Sequence, residues 1–144
     1  MFLPKVIEIE PTNYCNLKYK MCHLRFMKDV EVELINIDTL AKSLRGIENK
    51  VLNIGSVFEP TIHPNFSEIL EMTTIKNEVS FISNLTDQTL KIIQNNKSIY
   101  WVQISLDSVD KKIYENIRKV LNMKKYYQIL INFYLLNIQV QKFV

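Results

Sequence analysis

VLNIGSVFEPTIHPNFSEILEMTTIKNEVSFI, residues 51–82, is the stretch that sets the fold class. Val51-Leu52-Asn53-Ile54 is a short apolar run that stops at Gly55, as a strand would. A loop follows from Pro60 to Asn65, and Phe66, Ile69, Leu70 and Thr73 then recur at the spacing of one helix face. Val79-Ser80-Phe81-Ile82 is a further strand, closed by the turn Asn84-Leu85-Thr86. Strand, helix and strand in succession make a crossover unit. Two strands joined through a helix lie parallel, because the helix carries the chain back to the end where the first strand began.

The same rhythm extends both ways. Val6-Ile7-Glu8-Ile9-Glu10 alternates as a strand and is stopped by Pro11. A polar loop runs on to about residue 35, and Asp38 is placed to cap a helix marked by Ile37, Leu40, Leu44 and Ile47. Beyond the central unit, Leu90, Ile92 and Ile93 mark a helix capped by Thr86 or Asp87, and Ile99 to Leu106 is a fourth strand. Asp110 can cap a last helix carrying Ile113, Tyr114 and Ile117. The expected architecture is α/β: a partial (βα) barrel of parallel strands with crossover helices, four to five units long, with every strand C-terminus on one rim. After Val120 two readings stay open. Tyr127 to Leu136 is a fifth strand or an extension of the helix, and the alternation Asn137–Gln141 favours some strand near the end. Pro and Gly are too sparse to mark a linker, so a single domain over residues 1–144 is expected.

Composition narrows the function classes. With 47% apolar and 23% charged residues the chain has the make-up of a globular domain. Its formal net charge of +3 is scattered, whereas a nucleic-acid binder concentrates basic residues on one face. Lys18-Tyr19-Lys20 and Lys124-Lys125-Tyr126-Tyr127 mix cations with aromatics, but solvated lysines beside half-buried tyrosines account for them. Two cysteines, Cys15 and Cys22, are too few for a disulfide framework. No charged start followed by an apolar run opens the chain, and the apolar stretch near Ile129–Leu136 is broken by Asn132 and too short to span a bilayer. A cytoplasmic location with no membrane partner is expected.

Ligands of parallel sheets and barrels gather at the carboxyl ends of the strands, so the residues after each strand are the informative ones. They are Glu10-Pro11-Thr12-Asn13-Tyr14-Cys15-Asn16-Leu17-Lys18-Tyr19-Lys20-Met21-Cys22, then Gly55-Ser56-Val57-Phe58-Glu59-Pro60, then Ser83-Asn84-Leu85, then Ser105-Leu106-Asp107. Singly they are weak, since two cysteines seven positions apart equally describe small buried hydrophobes. Their order and spacing together resemble the radical S-adenosylmethionine family. Glu10 to Cys22 is similar to that family's Glu-Pro-Thr-Asn leading into Cys-x3-Cys-x2-Cys, with Cys15 and Cys22 on the first and third ligand positions. Gly55 to Pro64 looks like its Gly-Gly-Glu-Pro segment with a trailing His-Pro. Ser83-Asn84 sits where the family has Thr-Asn-Gly, and Ser105 to Asp110 with Tyr114 and Arg118 resembles its fourth strand and following helix.

The resemblance covers about residues 5–119 and implies cofactors and roles. Thiolates Cys15 and Cys22 would ligate a [4Fe-4S] cluster, whose open iron holds the amino and carboxylate groups of S-adenosylmethionine. Reductive cleavage then gives a 5′-deoxyadenosyl radical. Gly55, Glu59 and Pro60 would hold the methionine amino group. Ser83, Asn84, Ser105 and Asp107 would face the ribose and carboxylate, and Arg118 would neutralise a carboxylate. The resemblance implies no particular catalytic residue and no particular substrate.

Three departures bear on these expectations. Position 19 is tyrosine where the middle cysteine belongs, and a phenol is a harder, less acidic ligand than a thiol. His23 is the nearest substitute in sequence, though a solvent-facing loop histidine fits it better. Cys15, Cys22 and His23 would also make an incomplete zinc site. Phe58 stands where the tight turn before Glu59 favours glycine. Finally, four to five units are fewer than the family core's usual six, so the expected domain is a truncated core whose open sheet edge needs a protein partner. Three functions follow: a radical S-adenosylmethionine protein with impaired activity, a non-catalytic remnant or partner-binding fragment, and a metal- or nucleotide-binding α/β module. Elsewhere, Met21, Phe26, Met27, Tyr100 and Trp101 read as packing groups, His63 as a turn residue, and Glu31 and Glu33 as solvated loop charges.

Overall fold

Parallel strands follow one another across the sheet in chain order in the computed structural model, which describes residues 4–27, 30–96 and 98–118 together with 124, 127, 128, 131, 140 and 141. The strands are β1 (Val6–Ile9), β2 (Val51–Ile54), β3 (Glu78–Ser83), β4 (Ile99–Ile104) and β5 (Val140–Gln141), in the order β1-β2-β3-β4-β5. Helices α1 (Ile37–Ser43), α2 (Phe66–Thr74) and α3 (Asp87–Asn95) fill the first three crossovers, and α4 (Lys111–Arg118) follows β4. Each strand pairs only with its sequence neighbours, in registers such as Val6↔Val51, Ile54↔Phe81 and Ser83↔Ile104. That is the connectivity of a (βα) barrel segment, as expected.

The core lies between the sheet and its helices. Leu52, Ile54, Val79, Phe81 and Val102 are fully buried. They meet Phe66, Ile69 and Leu70, three of the four residues that periodicity placed on the inner face of α2. Phe66 and Phe81 pack edge to face with centroids 5.4 Å apart. Each such side chain contributes about 1.5–3 kcal/mol through burial. Thr73, the fourth of the set, is buried as well and bonds its hydroxyl to the Ile69 carbonyl at 2.7 Å, so burial leaves no polar atom stranded.

Several local expectations are corrected. The cap of α1 is Asn36, whose Oδ1 accepts the Thr39 N–H at 3.0 Å, while Asp38 lies inside the first turn. At α3 the open choice falls to Thr86, which forms a reciprocal capping box with Thr89. Asp110 does accept the Ile113 N–H at 2.9 Å, yet the buried residues of α4 are Tyr114 and Arg118, and Ile113 is exposed. Tyr100 is 61% exposed because the β3/β4 register slips by one residue, pairing Val79 with Ile99 but Ser80 with Trp101; Tyr100 is the unpaired bulge residue. Met21, Phe26 and Met27 are exposed as well.

His63 does lie in a turn, but it is buried. Its Nδ1 accepts the Asn65 N–H at 3.1 Å, so Nε2 carries the proton and donates to the Ile35 carbonyl at 3.2 Å. Near the end, Tyr127, Gln128 and Ile131 are helical, and Val140–Gln141 is the strand favoured by the terminal alternation, pairing with Val102 and Gln103 of β4. The rest of Tyr127–Leu136 lies outside the described residues. Among the described residues no helix is long and apolar enough to cross a membrane.

Candidate cofactor site at the strand ends

The loop after β2 turns at Gly55, whose φ of +70° favours glycine; a Cβ there would lie 2.5 Å from the Pro60 ring. Gly55 thus takes the positive φ that the departure at Phe58 put in question, and Phe58 itself keeps a negative one. The Gly55 N–H donates to the Ile9 carbonyl at 2.9 Å, extending the ladder one rung past the end of β2. Glu10, at the end of β1, closes the turn from the other side. Its Oε1 accepts the Ser56 N–H at 2.6 Å, the Val57 N–H at 2.9 Å and the Ser56 hydroxyl at 2.7 Å. Its buried Oε2 has no partner.

Glu59 is 2% exposed and ties the second loop to the third. Its Oε1 accepts the Thr61 hydroxyl at 2.5 Å and the Ser83 hydroxyl at 2.9 Å, and its Oε2 accepts the Asn84 N–H at 2.7 Å. Thr89 lies behind, its hydroxyl 3.0 Å from that of Ser83 and 3.3 Å from that of Thr61. Because the Glu59 N–H also donates to the Tyr14 carbonyl at 3.3 Å, the cysteine loop is fastened to the same carboxylate-bearing residue. Burial pushes the Glu59 carboxyl above its ordinary range, and the bonds from Asn84, Thr61 and Ser83 pull it back only in part.

Asn84 reaches across to the cysteine loop. Its Nδ2 donates to Asn16 Oδ1 at 2.8 Å and lies 3.9 Å from Cys15 Sγ, while its buried Oδ1 has no partner. Leu85, where the resemblance expects glycine, is held at φ +61° by its N–H bonding back to the Ser83 hydroxyl at 3.0 Å. Ser105 joins the same rim through its N–H, which donates to the Ser83 carbonyl at 2.9 Å. Cys15 is half-buried; burial raises its thiol and the Glu59 charge adds to that, against the hydrogen bonds from the Leu17 backbone and Asn84.

Arg118 is fully buried, its Nε bonded to Asp107 Oδ2 at 2.5 Å and both Nη atoms without a hydrogen-bond partner among the described residues. Its guanidinium lies 4.8 Å from the Tyr19 ring centroid and 5.8 Å from that of Tyr114. Burial works against the Arg118 charge, but the Asp107 bond and charge outweigh it and hold the group above its usual range. Burial also raises the Tyr19 phenol, against the pull of Arg118, and lifts that of Tyr114 to about 12. The next residue completes a latch: the Lys20 N–H donates to the Ile117 carbonyl at 3.2 Å and Lys20 Nζ to Asn116 Oδ1 at 2.7 Å. This Tyr19–Arg118 stack was not anticipated from sequence. Its only signals are an aromatic in a ligand position and the pair Tyr114/Arg118 four residues apart on one helix face.

Glu59, Ser83, Asn84, Ser105 and the cysteine loop are thus joined by hydrogen bonds, while Asp107 and Arg118 form a second cluster that meets the cysteine loop through the Tyr19 ring and the Lys20 latch. Cys22 is held by its N–H to the Tyr19 carbonyl at 3.0 Å. Glu59, Ser83 and Arg118 lie beneath the surface, whereas Cys15, Ser105 and Asp107 are partly exposed. His23 is exposed, and among the described residues no three of His, Cys, Asp and Glu gather as a metal site. The donor set is two thiols and a phenol whose ring is committed to Arg118. It does not fit a cluster that needs three thiolates.

No family model matches the chain. A tungsten-containing aldehyde ferredoxin oxidoreductase cofactor-modifying protein of Pyrococcus furiosus is 30% identical over 95 residues, which is 60% of this chain and 26% of that protein. The antilisterial bacteriocin subtilosin biosynthesis protein AlbA of Bacillus subtilis is 29% identical over 125 residues, 81% of this chain and 27% of AlbA. SuiB of Streptococcus suis, solved bound to S-adenosylmethionine, superposes with a TM-score of 0.75 over 95% of this chain and 33% of its own, at 20% identity. These matches support a relationship to the radical S-adenosylmethionine superfamily. SuiB shares the fold, and a second SuiB structure holds the precursor peptide SuiA. The chain spans about a quarter of the length of the curated relatives it matches.

Proposed function

We propose that the chain is a radical S-adenosylmethionine-type protein that binds S-adenosylmethionine at the strand-end rim, with its iron–sulfur chemistry impaired at Tyr19. The observation that carries the reading is a set of buried polar atoms that, among the described residues, have no partner at that rim: Asn84 Oδ1 and both Arg118 Nη atoms. An unpaired buried donor or acceptor costs about 1–3 kcal/mol, and an amino-acid ligand with a ribose brings the complementary groups. In this reading the Gly55–Pro60 backbone takes the amino group, Asn84, Ser105 and Asp107 take the ribose and carboxylate, and Arg118 offsets the carboxylate charge. Glu59 and Ser83 act from behind, holding the second and third loops in register. The residues here bind and orient the cofactor.

Equilibrium dialysis with labelled S-adenosylmethionine tests this directly. Saturable binding that weakens about tenfold in Asn84→Ala, the loss of one or two hydrogen bonds, is expected. Undiminished binding in that variant, or none in the native chain, would overturn it.

The Tyr19–Arg118 stack favours a second reading, a non-catalytic relative that binds the cofactor or a partner without a cluster. Anaerobic reconstitution with iron and sulfide separates the two. A native chain that stays colourless while Tyr19→Cys gains the four-iron chromophore supports the non-catalytic reading; a stable chromophore in the native chain removes it.

A further inference from the structure

Beside the strand-end cluster, residues 30–35 run antiparallel to residues 11–13. Thr12 and Leu34 form the bridge, the Asn13 N–H donates to the Glu33 carbonyl at 3.3 Å, and the Ile35 N–H donates to the Pro11 carbonyl at 2.8 Å. The Asn13 carboxamide imitates one more peptide unit: Nδ2 donates to the Glu31 carbonyl at 2.9 Å and Oδ1 accepts the Glu33 N–H at 2.8 Å. Residues 31, 33 and 35 thus spend their backbone groups on that side. In an extended chain alternate residues aim their N–H and C=O at opposite edges, so those of Val32 and Leu34 face outward. No described residue bonds to them.

We propose that this outward edge docks an extended peptide with alternating basic and apolar residues, added as a further strand. Unpaired backbone groups on an exposed extended segment are what a main chain satisfies by strand addition. Edges are blunted by charged side chains, proline or bulges; Val30-Glu31-Val32-Glu33-Leu34 has no proline, and its two charges are both negative, which repels an acidic strand and admits a basic one. Val30, Val32 and Leu34 are 44%, 54% and 47% exposed. Glu31 and Glu33 are exposed and make no ion pair among the described residues. Lysine or arginine on the incoming strand complements them, whereas a second copy of this segment would set glutamate against glutamate. A groove of about 150 Å³ lined by Cys15, Lys18, Leu24, Met27, Val30 and Val32 opens between this edge and the cofactor rim; the Lys18 charge leaves it suited to an apolar rather than a basic side chain of the peptide, next to Cys15. Docking stands on the edge alone; only presentation of that side chain to a cofactor rests on the function proposed above.

The test is fluorescence anisotropy at low salt with a labelled peptide of about nine residues alternating lysine and valine, long enough to span the edge. Saturable binding is expected. Val32→Pro removes an outward N–H and no internal hydrogen bond, and should weaken binding about tenfold with the thermal midpoint unchanged. The double variant Glu31→Lys, Glu33→Lys should reverse the preference toward a peptide alternating glutamate and valine. Absence of binding, or equal binding by the native chain and Val32→Pro, would overturn the proposal. So would concentration-dependent dimerisation that Val32→Pro abolishes while the peptide does not bind, which assigns the edge to a second copy. Dialysis with S-adenosylmethionine on the same samples keeps the two claims apart: cofactor binding without peptide binding sinks only the docking, and the converse sinks only the cofactor reading.

Discussion

Glu59 holds two loops together with one carboxylate, and its titration carries a stability signature. Burial raises its carboxyl above the unfolded value, so the folded state holds the proton more tightly than the unfolded chain does. The contribution is therefore fully present below the unfolded pKa and is lost as pH rises through the higher folded one. Thermal midpoints measured from pH 4 upward should fall across that window in the native protein and lack that fall in Glu59→Gln. Tyr19 is the second informative residue. Tyr19→Leu removes a ring stacked on a buried guanidinium and should cost about 1 kcal/mol in urea unfolding, while Tyr19→Phe keeps most of that stacking. The sequence marked Tyr19 as a missing ligand but could not show what its ring does instead. That depends on Arg118, nearly a hundred positions away in the chain and brought beside it by the crossovers.

Among the elements, the turn after β2 is the most sharply constrained. Gly55→Ala imposes a left-handed conformation on a residue with a Cβ and drives that atom into Pro60, so a loss of at least about 2 kcal/mol is expected by denaturant titration. The strands and α2 were legible because their patterns come from burial on one face, and burial is what the sheet delivers. The cap of α1 was misread because Asn36 and Asp38 are both good capping residues, and only the helical phase chooses between them. The Tyr100 bulge left no trace in the pattern: a one-residue register slip is decided by the pairing of two strands, not by either one. His63 was read as a plain turn residue because its two partners, Ile35 and Asn65, are backbone groups that any sequence would offer.

At the scale of the whole molecule, β2, β3 and β4 are each paired on both sides, and β3, in the middle, carries the densest burial. Phe81→Ala should cost about 3–5 kcal/mol, read as a fall in the urea midpoint, because it empties the space facing Phe66. The parallel sheet followed from alternation alone, and the sheet then brings residues from Cys15 to Arg118 onto one rim. What the sequence could not supply was depth: the resemblance gives Glu59 and Arg118 roles toward the cofactor, and both lie buried, at 2% and 0% exposure. Binding of S-adenosylmethionine at the rim is read by a heteronuclear amide spectrum of the labelled protein as the cofactor is added. Shifts concentrated at Gly55, Ser56 and Val57, the Asn84 carboxamide and the Arg118 Nε–H are expected. Shifts confined to other faces of the sheet, or none at a millimolar excess, would contradict it.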